Sequence, residues 1–369
     1  MSYKFYIIIL FFVFVGCDRT ELDFSNTLNE KNEIVGESIT LKNLEYKNLI
    51  KNELTDIKVY SIDSSLQRGY YIKDIDYVIE GNKIRRTVNS SIPNFINHHV
   101  IYNPNGTFTF NSLPRNPSLT IPYQIYVDYN FFDTVQIQGK FSSDFLSLRL
   151  KEKLKNKEQI RIGALGTSIT SGAHTLDHYY NNSDKETYPY LISKMLNNVY
   201  GVDVVTNNYS NNAAAASVTS DSVLDILHDE NDLVFIEFGM NDHLYSYWSS
   251  RLEDFKKNIE KLVQEFQHRN IDVILVGFFQ QNKKWDNEFP ESTSAYNNVL
   301  QGLALNYGVY FADVNKEFSK YSQEKIIQDF CGDYLHHPTS FGHKLYYKTI
   351  IPVFLSDEFS DGYIYGLLN

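Results

Sequence analysis

The sequence predicts a doubly wound α/β domain with a five-stranded parallel sheet, preceded by an all-β domain, and three patterns predict it. Five short apolar runs, at 160–165, 202–205, 233–238, 271–279 and 309–314, are separated by helix-sized segments. Runs apolar on both faces and spaced in this way read as buried parallel strands. Between the third and fourth, Leu252, Phe255, Ile259, Leu262, Val263 and Phe266 recur at three- and four-residue steps, which gives one apolar helix face. Ahead of residue 145 the period is different: short alternating runs at 38–41, 57–62, 70–79, 83–88, 121–129 and 135–141 are separated by turn residues.

Taken in chain order, residues 1–16 carry one cation, Lys4, followed by an apolar stretch over 5–15. That stretch is shorter than the about 20 residues a spanning helix needs and matches the hydrophobic region of an export signal. Phe14-Val15-Gly16-Cys17 resembles a bacterial lipobox. The resemblance implies a signal peptide over 1–16, a lipid on Cys17 as the membrane partner, and a lipoprotein of the cell envelope. A plain cleaved signal or a short anchor helix remains the alternative, and either places the chain outside the cytoplasm. Residues 17–34 are polar and without period, as a tether is. The β domain is expected over 35–145, a sandwich of jelly-roll-like form. Within it, Asn103-Pro104-Asn105-Gly106 marks a hairpin, because Asn-Gly tolerates the positive φ of tight turns. Residues 146–158 are expected to link the domains, and the α/β domain to fill 159–369.

Composition bounds the function. The chain has 369 residues, more than one core usually organises. Hydrophobic residues make up 43% and aromatic residues 15%, enough for both domains to fold around cores. A net charge of −11 and the lack of any Lys/Arg run disfavour nucleic acid as a partner. The 2 cysteines, Cys17 and Cys331, permit neither a disulfide framework nor a cysteine zinc site.

Ligands of doubly wound sheets bind beyond the carboxyl ends of the strands, so chemistry is sought in the loops after the five runs. After the first comes Gly166-Thr167-Ser168-Ile169-Thr170-Ser171-Gly172, which has neither the GxGxxG spacing nor the Gly-Lys-Ser/Thr of nucleotide loops. After the third comes Phe238-Gly239-Met240-Asn241-Asp242. Beyond the fifth stands Asp333-Tyr334-Leu335-His336-His337-Pro338-Thr339-Ser340-Phe341-Gly342-His343. Together these hold the parts of acyl transfer. A serine hydroxyl needs a histidine to take its proton and a carboxylate to fix the histidine's tautomer. Backbone N–H groups near Ser168 and the Asn241 amide suit an oxyanion.

The order GxSxT, GxND, DxxH(H)P, over about 159–355, resembles the SGNH (GDSL-like) hydrolases, and Thr187-Tyr188-Pro189-Tyr190-Leu191 also resembles that family. The resemblance implies a flavodoxin-like fold and a serine esterase without cofactor. Ser168 is then the nucleophile, Asp333 the orienting acid, and Ser168, Ala213 and Asn241 the oxyanion donors. Counting from Asp333 selects His336 as base, whereas counting back from Pro338 and Gly342 selects His337, the choice preferred here. Two departures stand out: Thr167 occupies the position of the family's usual Asp, and Ala213, in a run of four alanines, that of an oxyanion-hole Gly. Asp333, His336, His337 and His343 have zinc-type side chains, but no metal site is expected.

The pairing of a β domain with this α/β domain resembles two-domain carbohydrate esterases, which implies short acyl, first of all acetyl, esters on a glycan as substrate, or another small ester. Tyr245, Tyr247, Trp248 and Trp285 follow the site loops and offer ring faces for sugars. Two alternatives stay open: an O-acetyltransferase with the same triad, and an inactive glycan-binding lipoprotein.

Overall fold

The computed structural model of the chain describes residues 32–95, 100–110, 119–132, 144–182, 186–217, 220–243, 251–285, 292–355 and 361–368. The expected signal segment, Cys17, the run at 135–141 and the aromatic residues Tyr245, Tyr247 and Trp248 lie outside them.

The described residues open with β-structure: β1 (Glu33–Thr40), β2 (Lys47–Asn48), β3 (Thr55–Ile62), β4 (Arg68–Tyr70), β5 (Tyr77–Glu80), β6 (Lys83–Arg86), β7 (Val100–Tyr102), β8 (Phe108–Phe110) and β9 (Gln124–Asn130). These form antiparallel sheets in the orders β1-β9-β3-β4, β2-β6-β5 and β7-β8. The Asn-Gly turn joins β7 to β8: Asn103 N–H donates to Thr107 O at 2.7 Å, and Gly106 has φ +83°. The run at 70–79 is split into β4 and β5 by a turn, with Asp76 N–H on Ile72 O at 2.7 Å and Asp74 at φ +65°. The turn residues outweigh the β-propensity of Tyr71 and Ile72.

The second half alternates. Strands β10 (Ile160–Gly166), β11 (Val204–Asn208), β12 (Leu233–Glu237), β13 (Asp272–Val276) and β14 (Tyr310–Ala312) form one parallel sheet in the order β11-β10-β12-β13-β14. Its helices are α1 (Leu148–Asn156), α2 (Leu176–Tyr179), α3 (Tyr188–Tyr200), α4 (Ser220–His228), α5 (Leu252–His268), α6 (Thr293–Tyr307), α7 (Val314–Phe318), α8 (Gln323–Lys325), α9 (Ser340–Ile350) and α10 (Asp361–Gly366). The doubly wound class holds, and the strand order is flavodoxin-like. All five residues of the central β12 are buried, whereas the edge strand β11 is half-buried, which is why its apolar run gives way to Thr206-Asn207-Asn208. The expected stripe of α5 faces the core through Phe255, Ile259, Leu262, Val263 and Phe266. Helix ends follow local chemistry: Ser147, Ser292 and Thr339 accept N–H bonds at N-caps, and Gly201 and Gly308 close α3 and α6 at φ +66° and +65°.

One apolar core runs through both halves, with Ile39, Ile125 and Val127 of the N-terminal sheet in the same cluster as Phe330, Phe341 and Leu345. From β10 the chain passes to β11 on one side and to β12 on the other. That reversal opens a crevice at the carboxyl ends of β10 and β12.

Candidate active site

Ser168 stands on the turn that leaves β10. Gly166 ends the strand where a Cβ would lie 2.5 Å from Thr170 Oγ1 and 2.8 Å from Glu237 O, so only glycine fits. The turn then winds tightly: Ser171 N–H donates to Thr167 O and Ala173 N–H to Ser168 O, both at 3.0 Å. Ser168 is nearly buried, and its Oγ lies 2.7 Å from His337 Nε2.

His337 belongs to a loop closed at its neck by Gly332 N–H on His337 O at 2.9 Å and Thr339 N–H on Phe330 O at 2.8 Å. Asp333 organises the interior. Its Oδ1 accepts the N–H groups of Leu335, His336 and His337 at 2.8, 3.0 and 3.1 Å, and its Oδ2 meets His337 Nδ1 at 2.5 Å. Burial pushes the Asp333 carboxyl up, but the adjacent His337, through its charge and its hydrogen bond, outweighs burial and holds it well below the usual carboxylate range. Asp333 therefore stays a carboxylate, Nδ1 of His337 carries a proton, and Nε2 is free to accept one from Ser168.

Of the two histidines offered by counting, His337 is the one brought to Ser168. His336 packs beside it, its ring centroid 4.3 Å from that of His337 and 6.3 Å from that of Trp285, and its buried Nδ1 has no hydrogen-bond partner among the described residues. Burial, and next the neighbouring His337, lower its pKa to about 3, so it is neutral.

The two other oxyanion candidates come from adjacent loops. Asn241 Nδ2 donates to Ala214 O at 2.8 Å, which leaves its second N–H for another acceptor. Asp242 ties the same loops together, accepting Ala216 N–H at 3.0 Å and Gly239 N–H at 3.1 Å. Gly239, at φ +122°, lies so near Phe278 that a Cβ would sit 2.2 Å from the ring. Ala213 is exposed and has φ +59°, the left-handed backbone that glycine adopts freely. Ala213→Gly is therefore expected to keep full turnover and to raise stability by up to about 1 kcal/mol, measured by urea unfolding, because the N–H is retained while the Cβ strain is removed.

Residues 164–345 match the model of the GDSL-like Lipase/Acylhydrolase family. The matched segment carries the serine turn, the Asn241 loop and the Asp333–His337 loop. The protein is thus an ester-hydrolysing enzyme of the SGNH/GDSL kind. Among solved structures, the chain is similar to an acetylxylan esterase from Geobacillus stearothermophilus at 17% identity and TM-score 0.43, over 53% of this chain and 93% of that one. It is similar to a lipase/acylhydrolase from Enterococcus faecalis at 19% and 0.43, over 52% and 93%. A two-domain esterase active on acetylated mannans matches at 20% and 0.43, over 55% and 51%. The curated proteins contain no match to the chain.

Two features of the acylhydrolase site are not among the residues expected from sequence. Glu237, at the end of β12, is wholly buried beneath the serine turn and accepts Thr167 N–H, Thr167 Oγ1–H and Thr170 Oγ1–H at 3.1, 2.7 and 3.0 Å. Thr167 thus donates to a carboxylate from the position where the family usually has an Asp. The signal was a lone acid at the end of an otherwise apolar run. Burial raises the Glu237 pKa to about 7 against the lowering effect of the Thr167 bonds. His174, at φ +68°, holds its ring 4.8 Å from that of His337, tilted by 37°. Its ligating atoms and those of Asp333 and His337 lie within 4.8 Å of one another, the one such group among the described residues, but Asp333 and His337 are engaged with each other and with Ser168. His343 takes no part in that group; its Nδ1 accepts Tyr188 N–H at 3.4 Å.

Burial first of all lowers the pKa of His174 to about 4, and those of His336 and His343 to about 3. With folded values below the unfolded value of 6.5, the unfolded chain binds more protons, and stability present above that value is lost as the pH falls toward 4. Glu237 acts in the opposite sense: its contribution is present below its unfolded value of 4.5 and is lost as the pH rises through about 7. The lowered histidines His174, His243, His336 and His343 outnumber the raised carboxyls Glu186, Glu237 and Asp272, so stability is expected to fall as the pH is lowered from 6 to 5. Urea unfolding at pH 6 and pH 5 checks this, and a flat profile contradicts it.

Proposed function

We propose that the protein is a serine esterase that removes short acyl groups, acetyl first, from carbohydrate, with Ser168, His337 and Asp333 as its triad, and that it is held at the cell envelope by a lipid on Cys17. The observation that carries the catalytic reading is the unbroken chain Ser168 Oγ, His337 Nε2, His337 Nδ1, Asp333 Oδ2, with links of 2.7 and 2.5 Å. Ser168 Oγ attacks the ester carbonyl as its proton passes to His337 Nε2. The carbonyl electrons move onto oxygen, and the N–H groups of Ser168 and Ala213 with Asn241 Nδ2–H receive the charge. His337 then returns the proton to the departing sugar hydroxyl, leaving an acyl-serine. Water adds by the same steps: His337 takes its proton, and the acid leaves as Ser168 recovers the proton.

The glycan part of the reading rests on aromatic faces at the rim. Trp285 and Tyr334 are half-buried beside the catalytic loop, and Tyr102 is 55% exposed next to Tyr334. Such rings stack on the apolar faces of pyranoses. Acetate release from acetylated xylan or mannan, compared with p-nitrophenyl acetate, tests the proposal. Turnover of both supports it, turnover of p-nitrophenyl acetate alone removes the glycan, and a folded protein inert toward every ester removes the activity.

A further inference from the structure

The two halves of the site are held by different parts of the chain. Ser168 and the Asn241 turn rise from the parallel sheet, but the loop bearing Asp333 and His337 is gripped along its length by the N-terminal β-structure. At its entry, Thr40 N–H donates to Asp329 Oδ1 at 2.9 Å, Lys47 Nζ pairs with the same oxygen at 2.5 Å, and Ser38 Oγ donates to Asp329 O at 2.5 Å. At its exit, Ser38 Oγ lies 3.2 Å from Thr339 Oγ1. Immediately before Asp333, the buried Thr120 makes two bonds to the backbone: its N–H donates to Gly332 O at 3.0 Å and its hydroxyl to Cys331 O. Gly332 is pinned between the halves, since a Cβ there would lie 2.6 Å from His174 Cβ and 3.2 Å from Ile121 Cδ1.

Immediately after Asp333, Tyr334 has φ +66°, a conformation that a bulky side chain adopts only when its surroundings impose it. The surroundings of its ring are N-terminal, while Asn282 of the α/β part holds the backbone, its Nδ2 donating to Tyr334 O at 3.1 Å. The rings of Phe108 and Phe95 stand 5.7 and 6.2 Å from that of Tyr334, and its hydroxyl lies 3.3 Å from Tyr102 OH. The hairpin carrying Phe108 is in turn fixed to the α/β part, with Phe108 N–H on Lys284 O at 2.7 Å.

We infer that the N-terminal β-structure is a working part of the active site: Thr120, and the rings of Phe95, Tyr102 and Phe108 around Tyr334, are positioning residues that hold the Asp333–His337 loop against Ser168. This rests on the triad proposed above. The physical reason is economy of geometry: a loop held only at its neck tolerates shifts of an ångström, and such a shift costs about 100-fold in rate when it separates nucleophile from base. The N-terminal half fixes the residues on both sides of Asp333, where displacement matters most.

The test uses the full chain and p-nitrophenyl acetate. Thr120→Val removes the hydroxyl donation at nearly constant shape, and Thr120→Ser restores it. The expected result is a kcat lower by about 10- to 100-fold in Thr120→Val with KM unchanged, and recovery in Thr120→Ser. A merely structural role would lower thermal stability and leave kcat per folded molecule intact. Tyr334→Gly decides independently should the valine variant not fold. Glycine relieves the strained φ, so a loop that holds itself would keep kcat per folded molecule, whereas a loop anchored through the ring loses kcat even where thermal melts show the protein folded. Wild-type kcat in Thr120→Val or in Tyr334→Gly overturns the inference. A wild-type protein inert toward all esters instead overturns the proposed function, and the inference with it.

Discussion

Ser168→Ala is expected to abolish ester hydrolysis, lowering kcat for p-nitrophenyl acetate on the order of 10⁴- to 10⁶-fold. The size follows from the proposed mechanism: with Oγ 2.7 Å from His337 Nε2, it is the atom that would give the base its proton and carry the acyl group. Nothing nearby replaces it, because Ser171 Oγ is engaged with Ser168 O at 2.9 Å. The fold should be little affected, since one small polar group is lost from a turn fixed by backbone bonds and by Glu237. His337→Ala should fall comparably, because triad members act as a unit. His336→Ala should retain much more of the rate than His337→Ala, because Ser168 Oγ meets His337 Nε2 and His336 only packs beside that ring. Steady-state kinetics of the three variants check all of this, and a His336→Ala loss equal to that of Ser168→Ala would move the base to the other imidazole.

The α/β half was legible because parallel strands buried on both faces must be apolar throughout, and β10, β12 and β13 carry that requirement in 160–165, 233–238 and 271–279. Strand ends were less so. β11 continues to Asn208 as a half-buried edge, where polar residues cost little. In the β half, the Asn-Gly turn declared its hairpin, but the pairing of β1 with β9 across ninety residues of chain leaves no local mark. The site divides in the same way. Ser168, Asp333 and Asn241 stand in motifs whose spacing is local, so they could be named from the sequence. Choosing between His336 and His337 depends on loop closure through Gly332 and His337, a three-dimensional fact. Glu237 carried a signal, an acid in an apolar run, whereas Thr120 carried none: a threonine before Ile-Pro gives no hint that its hydroxyl holds a carbonyl 211 positions away.

Asp333→Asn should lower kcat on the order of 10⁴-fold while the loop stays in place. The two carboxylate oxygens have separate duties. Oδ1 accepts three consecutive N–H groups, and an asparagine carbonyl oxygen can continue to do so. Oδ2 faces His337 Nδ1 at 2.5 Å, and there the substitution places an NH₂ group, a donor. Two donors cannot face each other at that distance, so His337 must turn Nδ1 into an acceptor and carry its proton on Nε2. That proton then points at Ser168 Oγ, and the base can no longer accept one. The negative charge that would stabilise the imidazolium is lost at the same time. The retained Oδ1 bonds predict a melting temperature within a few degrees of wild type, about 1 kcal/mol or less. Asp333→Ala should be different in kind, removing the three N–H bonds and unfolding the loop as well as stopping the reaction. Thermal melts and kcat measured side by side separate the two duties. An asparagine variant with near-wild-type kcat would mean that Asp333 shapes the loop but does not set the tautomer of His337.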